Sequence, residues 1–281
     1  MIAVGLALLS ALAYGLSDFV GGVFSKRASP WSVALVGQLA GAAVVLGLAA
    51  LTDGTPTGTA LGWAVVAGVG NGLGTAFLYR GLSSGRMGVV APLSGVGAVL
   101  VPVAVGLVTG ERPPTLVWVG ILAALPGIWL VAREPATGDV TGAASGGSGA
   151  VDGVLAGLGF GALFATLAQV PDSAGFLPLA LNQLVAAVVV VVVASLLRAP
   201  WLPREPAAAA GVLTGVLGAL ATGAFLVASQ QGFLTVTAVL ASLYPAVTVV
   251  LAATVLREHI HRAQAAGLVL CGVAVALVAA G

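Results

Sequence analysis

The sequence has very little charge. Charged residues make up 7% of its 281 residues, whereas soluble globular domains carry about 25%, and hydrophobic residues make up 59%. Because a soluble surface needs charge to remain solvated, most of this chain is expected to lie in lipid. The formal net charge is only +1 and basic residues form no runs, which argues against nucleic acid as a partner.

Cysteine and histidine are also scarce. The single cysteine, Cys271, lies in an apolar segment and has no second cysteine for an internal disulfide. The two histidines, His259 and His261, share a short charged turn. The apolar segments hold no cluster of catalytic or metal-ligating residues, and the segments between them are too short for a soluble site. The sequence therefore predicts no enzyme, no metal and no cofactor.

Long apolar segments fill most of the chain. Each is close to the roughly 20 residues that cross a bilayer as a helix, and an open sheet edge is excluded because hydrocarbon leaves its backbone groups unpaired. No basic region precedes the first segment, so we interpret it as a transmembrane helix rather than a signal peptide. The ten predicted spans are 2–24, 31–51, 60–82, 87–109, 114–132, 151–170, 176–197, 206–230, 234–256 and 262–280.

A segment rich in Gly, Ser, Thr and Ala separates the fifth span from the sixth. Its composition is typical of a flexible linker. The chain is therefore divided into a first five-helix repeat at 1–132, a linker at 133–150 and a second five-helix repeat at 151–281.

The two halves resemble each other. At an offset of 147 or 145 residues, the matched pairs are Thr75 with Thr222, Glu111 with Glu258, and Gln38 with Gln183. Because each half has an odd number of spans, the second half must run inverted in the membrane. The predicted fold is an all-α integral membrane protein of ten transmembrane helices in two inverted five-helix repeats.

Basic residues favour one side of this layout. Of the ten Lys and Arg residues, only Arg112 lies beside an even-numbered loop, counting the loop after the first span as loop 1. The others are Lys26, Arg27, Arg80, Arg86, Arg133, Arg198, Arg204, Arg257 and Arg262. Since basic loops stay in the cytoplasm, both termini are predicted outside a multi-pass protein of the plasma (inner) membrane.

Two stretches indicate a family. The segment from Ala91 to Pro113, APLSGVGAVLVPVAVGLVTGERP, and its second copy, VLASLYPAVTVVLAATVLREHI, resemble the fourth helix and turn of drug/metabolite transporters of the EamA type. The resemblance covers nearly the whole chain, including the five-plus-five layout. It implies a transporter and says little about its substrate.

The first helix is similar to that of small multidrug resistance proteins. Those relatives carry a buried glutamate followed eight residues later by lysine, and here Asp18 and Lys26 have that spacing. Their serine-glycine-valine-glycine run also appears, beginning at Ser94. The resemblance implies that Asp18 binds either a proton or substrate. The acid here is one methylene shorter, and the second half has Phe164 at the matching position.

Asp18 is the residue on which the predicted mechanism rests. A charged Asp near the centre of a span costs about 2.5–3.5 kcal/mol on insertion scales, so desolvation favours its protonated form. The alternative is a structural role, as a helix–helix hydrogen bond or an interfacial residue. Arg80, near the same side of the membrane, is a candidate ion-pair partner; its alternative is snorkelling to the interface.

Other polar and aromatic residues are candidate substrate contacts. The amides Gln38, Asn71, Asn182 and Gln183 lie within spans, where they face a cavity or bond a neighbouring helix. Aromatic rings can stack on a cation, although most membrane aromatics are packing or interface residues. The substrate-binding set comprises Asp18, Tyr14, Gln38, Trp63, Asn71, Asn182, Gln183 and Tyr244.

The sequence predicts a secondary active exporter of small organic solutes, such as lipophilic cations or metabolites, coupled to protons through Asp18. Its partners are a small-molecule substrate, protons and the lipid bilayer, and the chain is a monomer or a homodimer. One alternative is a facilitator or uptake carrier of neutral or zwitterionic metabolites, with Asp18 structural. Another is a membrane enzyme or a nontransporting scaffold subunit.

Overall fold

The protein is a bundle of apolar helices. The computed structural model describes residues 1–83, 87–132, 148–257 and 259–281, and these contain no strand. Eight described helical segments are long and apolar enough to cross a membrane, and one of them, Leu234–Val255, consists of two consecutive helices. The shorter apolar segments Leu93–Val108 and Thr115–Val131 complete the ten predicted spans. The all-helical prediction is confirmed.

The helix bounds lie within a few residues of most predicted spans. In chain order they are α1 (Ile2–Phe24), α2 (Pro30–Leu51), α3 (Gly58–Ser83), α4 (Met87–Val108), α5 (Thr115–Ala132), α6 (Ser148–Leu167), α7 (Leu177–Leu196), α8 (Gly211–Gln231), α9 (Leu234–Ala241), α10 (Tyr244–Val255) and α11 (Arg262–Ala280). A 3₁₀ turn, Pro206–Ala210, precedes α8. Helices α9 and α10 together form the ninth span, and α11 is the tenth.

Several sequence predictions concern residues that the structure does not describe. Residues 133–147 of the predicted linker lie outside the described residues, whereas 148–150 belong to α6. Arg86, Arg133 and Glu258 also lie outside them.

The ninth span is broken in its middle, where one continuous helix was expected. Proline has no N–H to donate to the carbonyl four residues earlier, and Pro245 stands just after the break. The backbone N–H of Leu243 bonds instead to the Leu240 carbonyl, 3.2 Å away, in a tighter turn. Its counterpart in the first repeat, α4, continues from Met87 to Val108.

Contacts between the two repeats follow a two-fold pattern. Helix α1 packs on α8 and on the ninth span, and the matching helix α6 packs on α3 and α4. Helix α2 packs on α7, and α5 packs on α11, which are pairs of matching helices. This pattern is that of two inverted repeats around an axis in the membrane plane.

Small residues let helices of the two repeats approach closely. A Cβ at Gly70 of α3 would meet the backbone of Gly159 and Leu163 in α6. A Cβ at Gly215 of α8 would meet the carbonyl of Gly37 in α2. Close approach of this kind is common between membrane helices, where lipid supplies no hydrophobic drive for association. Close packing between the two repeats therefore depends on glycine at these positions.

Loops of one repeat contact loops of the other at both ends of the bundle. We call the end with loops 1, 3, 5, 7 and 9 the odd-loop face, and the opposite end, with both termini, the even-loop face. At the odd-loop face the Ser29 hydroxyl donates to the Pro200 carbonyl. At the even-loop face the Thr55 N–H donates to the Ser173 carbonyl, 2.8 Å away. Each contact joins the two repeats.

Candidate transport site

A small cavity lies between five helices near the middle of the bundle. Its volume is about 40 Å³, enough for a few water molecules. The first repeat lines it with Tyr14, Ser17, Asp18, Asn71, Thr75 and Tyr79. The second repeat lines it with Phe160, Gln183, Gly218 and Thr222. The cavity is therefore a joint product of the two repeats.

Asp18 stands in this cavity without a charged partner. It is partly exposed although it lies deep in the bundle, since it lines the cavity. In the part of the chain that the structure describes, no residue forms a salt bridge with it or donates a hydrogen bond to it. Three tyrosines, Tyr14, Tyr79 and Tyr244, lie within electrostatic range. A proton or a cationic ligand would neutralise this carboxylate.

The four amides named from the sequence form one cluster. Asn71 is its centre: its Nδ2 donates to Gln183 Oε1 at 2.7 Å and to Asn182 Oδ1 at 3.4 Å. Gln38 Nε2 donates to Asn71 Oδ1 at 3.3 Å and to the Thr75 hydroxyl at 3.2 Å. The Asn182 Nδ2 is buried and has no hydrogen-bond partner among the described residues. The cluster joins α2, α3 and α7, and reaches the cavity through Asn71, Thr75 and Gln183.

An aromatic layer covers the cavity on the side of the even-loop face. The Tyr14 ring lies 5.7 Å from Phe164 and 6.2 Å from Tyr244, and Phe164 stacks on Phe225 at 4.4 Å. Phe160 extends the layer to Tyr244 at 6.4 Å. Phe164 is the residue that matches Asp18 in the repeat, so the second repeat puts a ring where the first has its carboxylate. Two rings of this layer, those of Tyr14 and Phe160, also line the cavity.

Ser94, the first residue of the serine-glycine-valine-glycine run, also reaches this layer. Its hydroxyl lies 3.3 Å from the Tyr244 hydroxyl, in a hydrogen bond that joins α4 to α10. The stretch therefore holds an aromatic residue beside the cavity rather than lining the cavity itself.

Comparisons with known proteins identify the family of this chain and a structure with the same fold. Residues 1–133 and 147–280 each match the EamA-like transporter family. The chain belongs to this family. It also shares its fold with a solved structure described only as "Crystal structure of protein", at a TM-score of 0.72 and 19% identity, over 98% of this chain and 95% of the other. No curated protein matches it.

Membership of this family confirms the drug/metabolite transporter resemblance, with one repeat on each side of the linker region. The protein is a multi-pass membrane transporter of small solutes. The cavity between the repeats is where a transporter of inverted repeats is expected to bind its substrate.

Arg80 of this EamA-like transporter is engaged by a different acid from the one expected. Its guanidinium forms a salt bridge with Asp152 at the start of α6, including a bond from Nε of 3.0 Å. The guanidinium also lies over the Phe77 ring, 4.6 Å from its centroid, and 6.0 Å from that of Trp31. The candidate Asp18–Arg80 pair is therefore not formed in this structure, where Arg80 is paired with Asp152.

Trp63 does not reach the cavity. It precedes Asn71 by eight residues, which is about 12 Å along the axis and roughly 80° around the helix. Its side chain is 38% exposed on the outer surface of the bundle. The structure therefore does not place Trp63 in contact with a ligand in this cavity. A lipid-facing position near the end of a span is common for an aromatic residue.

Several cavity residues were absent from the predicted binding set. These are Ser17, Thr75, Tyr79, Phe160, Gly218 and Thr222. Thr75 and Thr222 had a signal in the sequence, since they are matched positions of the two repeats and both reach the cavity. Tyr79 is an aromatic residue of the kind that can stack on a cation, and Phe160 and Gly218 carried no signal beyond their apolar helices.

Proposed function

We propose that this transporter is a proton-coupled secondary active exporter, in which a proton and the cargo compete for Asp18. The observation that carries the proposal is a single carboxylate in a cavity between inverted repeats, without a cation to balance it in the described part of the chain. An uncompensated charge in such a site is costly. The carboxylate is therefore more stable with a bound proton or a bound cation than as a bare anion. Competition for one carboxylate is the simplest form of antiport.

The proposed direction, export, rests on the predicted orientation and on an inward proton-motive force. The basic residues beside the odd-numbered loops favour a cytoplasmic odd-loop face in the plasma (inner) membrane. Asp18 lies in the half of α1 nearer that face, and an inward proton-motive force would move its proton into the cytoplasm. Cargo that leaves as the proton enters is exported.

The available energy is sufficient for useful accumulation. Exchange of one proton for one monovalent cation moves no net charge, so the pH gradient drives it and the membrane potential does not. A pH gradient equivalent to 100 mV contributes about 2.3 kcal/mol per proton, which sustains a cargo gradient of roughly fifty-fold. Both repeats of one chain line the cavity, so we propose one proton site per chain, in a monomer or in each subunit of a homodimer. The facilitator with a structural Asp18 is the competing account.

Proton release on ligand addition tests this proposal. Purified protein in weak buffer receives a panel of amines, amino acids and nucleosides, while a pH indicator reports released protons. Wild type should release about one proton per chain with a suitable cation, and Asp18→Asn should release none. Asp53→Asn, the same change in an exposed loop, should behave as wild type.

Two outcomes would count against proton coupling. Ligands that raise the thermal unfolding midpoint of wild type without releasing protons would leave a facilitator with a structural Asp18. Proton release that persists in Asp18→Asn would move the coupling to another residue.

A further inference from the structure

We infer that the cargo is a compact ammonium compound that also carries hydroxyl or amide groups, rather than a lipophilic cation or an amino acid. This inference rests on the proposed function for the role of Asp18. It adds the chemistry of the rest of the cavity, which selects among cations.

Charge excludes anionic and zwitterionic cargo. The described cavity lining contains one carboxylate, at Asp18, and no basic side chain. Arg80, next to Tyr79 in α3, is paired with Asp152. A carboxylate or phosphate on the cargo would be desolvated without a counterion, which is strongly unfavourable in a low-dielectric site.

The amide cluster requires a polar cargo. Asn71 and Gln183 present amide groups at the cavity wall, and the Thr75 and Thr222 hydroxyls lie beside them. The Thr222 hydroxyl donates to the Gly218 carbonyl at 2.7 Å, which leaves its oxygen free to accept. Sites built to hydrogen-bond a ligand discriminate strongly against analogues that lack the bonding group, because buried polar groups are then left unpaired. Asn71 and Thr75 are already paired within the amide cluster. The groups that an apolar cation would leave without a partner among the described residues are therefore the Gln183 Nε2 and the Thr222 oxygen.

The aromatic walls and the cavity size favour a small ammonium group. Tyr14, Tyr79 and Phe160 present rings to the cavity, and an ammonium over such rings gains cation–π energy. The volume of about 40 Å³ suits only a few heavy atoms. A bulky lipophilic cation would require the helices to separate.

Four compounds built on one three-carbon skeleton separate these requirements. Serinol (2-amino-1,3-propanediol) has an ammonium and two hydroxyls, 2-aminopropane lacks the hydroxyls, glycerol replaces the ammonium with a hydroxyl, and serine replaces one hydroxymethyl with a carboxylate. Binding to wild type is measured by calorimetry together with proton release, at a pH where the amines are protonated. Serinol should bind at least about tenfold more tightly than each of the other three, because each lacks one required feature or adds an unpaired charge.

A variant of the polar wall locates the selectivity. Gln183→Leu removes the amide while roughly keeping the side-chain volume, and should lower serinol affinity about tenfold with little effect on 2-aminopropane. Gln230→Leu is the matched control, since Gln230 bonds the Val170 carbonyl away from the cavity. Proton release by 2-aminopropane in Gln183→Leu shows that the variant is folded. If the variant does not fold, the four-compound series on wild type still tests whether the cargo needs both an ammonium group and hydroxyl groups.

The possible failures are distinguishable. Equal affinity for serinol and either 2-aminopropane or tetraphenylphosphonium would overturn the polar requirement, and tight binding of serine or glycerol would overturn the charge argument. In these cases Asp18-dependent proton release by any tested cation leaves the proposed function standing. Conversely, tight serinol binding without proton release would support the inferred cargo class and contradict proton coupling at Asp18.

Discussion

At the scale of single residues, Asp18 differs from the other acids that lie within or beside the spans. Asp152 is paired with Arg80, and Glu111 accepts hydrogen bonds from the backbone of Leu234 and Thr235. Those two acids have structural partners that account for them. The described cavity lining around Asp18 holds no other charged group, which is why the mechanism is assigned there.

Gly21→Ala tests how tightly α1 packs against Tyr79 in the cavity wall. A methyl group at Gly21 would overlap the ring of Tyr79, which lines the cavity. Gly21→Ala should therefore displace Tyr79, destabilise the fold by about 1–3 kcal/mol and weaken cargo binding. Thermal unfolding and ligand-driven proton release measure the two effects.

The control for Gly21→Ala lies in the same helix. A Cβ at Gly5 has nothing within 4 Å, so Gly5→Ala should leave both stability and proton release close to wild type. Equal stability and equal proton release in the two variants would contradict tight packing of Gly21 against Tyr79.

At the scale of helices, the Arg80–Asp152 pair joins α3 to α6 across the repeats. Arg80→Gln leaves the buried Asp152 carboxylate unpaired, and losses of about 3–5 kcal/mol are typical when one member of a buried pair is removed. The loss here should fall below that range, because the Arg80 side chain is 31% exposed. Asp152→Asn should also destabilise the protein, and the double variant should lose less than the sum of the two. Unfolding midpoints of all three measure this; strictly additive losses would mean that the pair contributes no coupling.

Glu111 stabilises the start of the short helix α9. It lies in loop 4, and its carboxylate accepts from the Thr235 N–H at 2.9 Å and also from that of Leu234. A carboxylate at a helix N-terminus satisfies free N–H groups and complements the helix dipole, so Glu111→Gln should cost about 1 kcal/mol. The neighbouring Arg112→Gln should cost less, since Arg112 is exposed and bonds only nearby carbonyls. An unfolding midpoint unchanged in Glu111→Gln would contradict the capping role.

Helix positions were predictable from the sequence because lipid imposes a simple rule. Each span needs about 20 apolar residues, and charges and loop formers mark its ends. The break in the ninth span was not predicted. Pro126 lies inside a continuous α5, whereas the ninth span is interrupted just before Pro245. A proline alone therefore does not decide between a continuous and a broken helix.

The candidate site was only partly predictable. Asp18, Tyr14, Asn71 and Gln183 are polar or amphipathic residues within apolar spans, where their cost suggests a purpose. Phe160 and Gly218 carry no such cost, and only the packing of α6 and α8 brings them to the cavity. The partner of Arg80 also depended on which helices are neighbours, which spacing along the chain does not reveal.

At the scale of the whole molecule, the two loop contacts between repeats are related by the inverted symmetry. One lies at the odd-loop face, between Ser29 and Pro200, and the other at the even-loop face, between Thr55 and Ser173. If cargo passes by alternating opening of the two faces, each contact must separate in one half of the cycle.

Cross-links test this alternation. Cysteine pairs at Ser29 and Pro200, or at Thr55 and Ser173, in a Cys271→Ala background, should each stop turnover when bridged by a short thiol reagent. Reduction of a cleavable bridge should restore turnover. Flux in proteoliposomes measures the effect, and undiminished flux with either bridge closed would contradict alternating opening at these loops.

Coupled flux in proteoliposomes tests the central claim, that proton and cargo share Asp18, most directly. A gradient of the compound that releases most protons from wild type is imposed across vesicles that contain a pH-sensitive dye, with no initial pH difference. The account predicts that cargo moving down its gradient drives protons the other way in wild type and Asp53→Asn, and drives none in Asp18→Asn. Cargo flux without proton movement in wild type, or proton movement of equal size in Asp18→Asn, would contradict it.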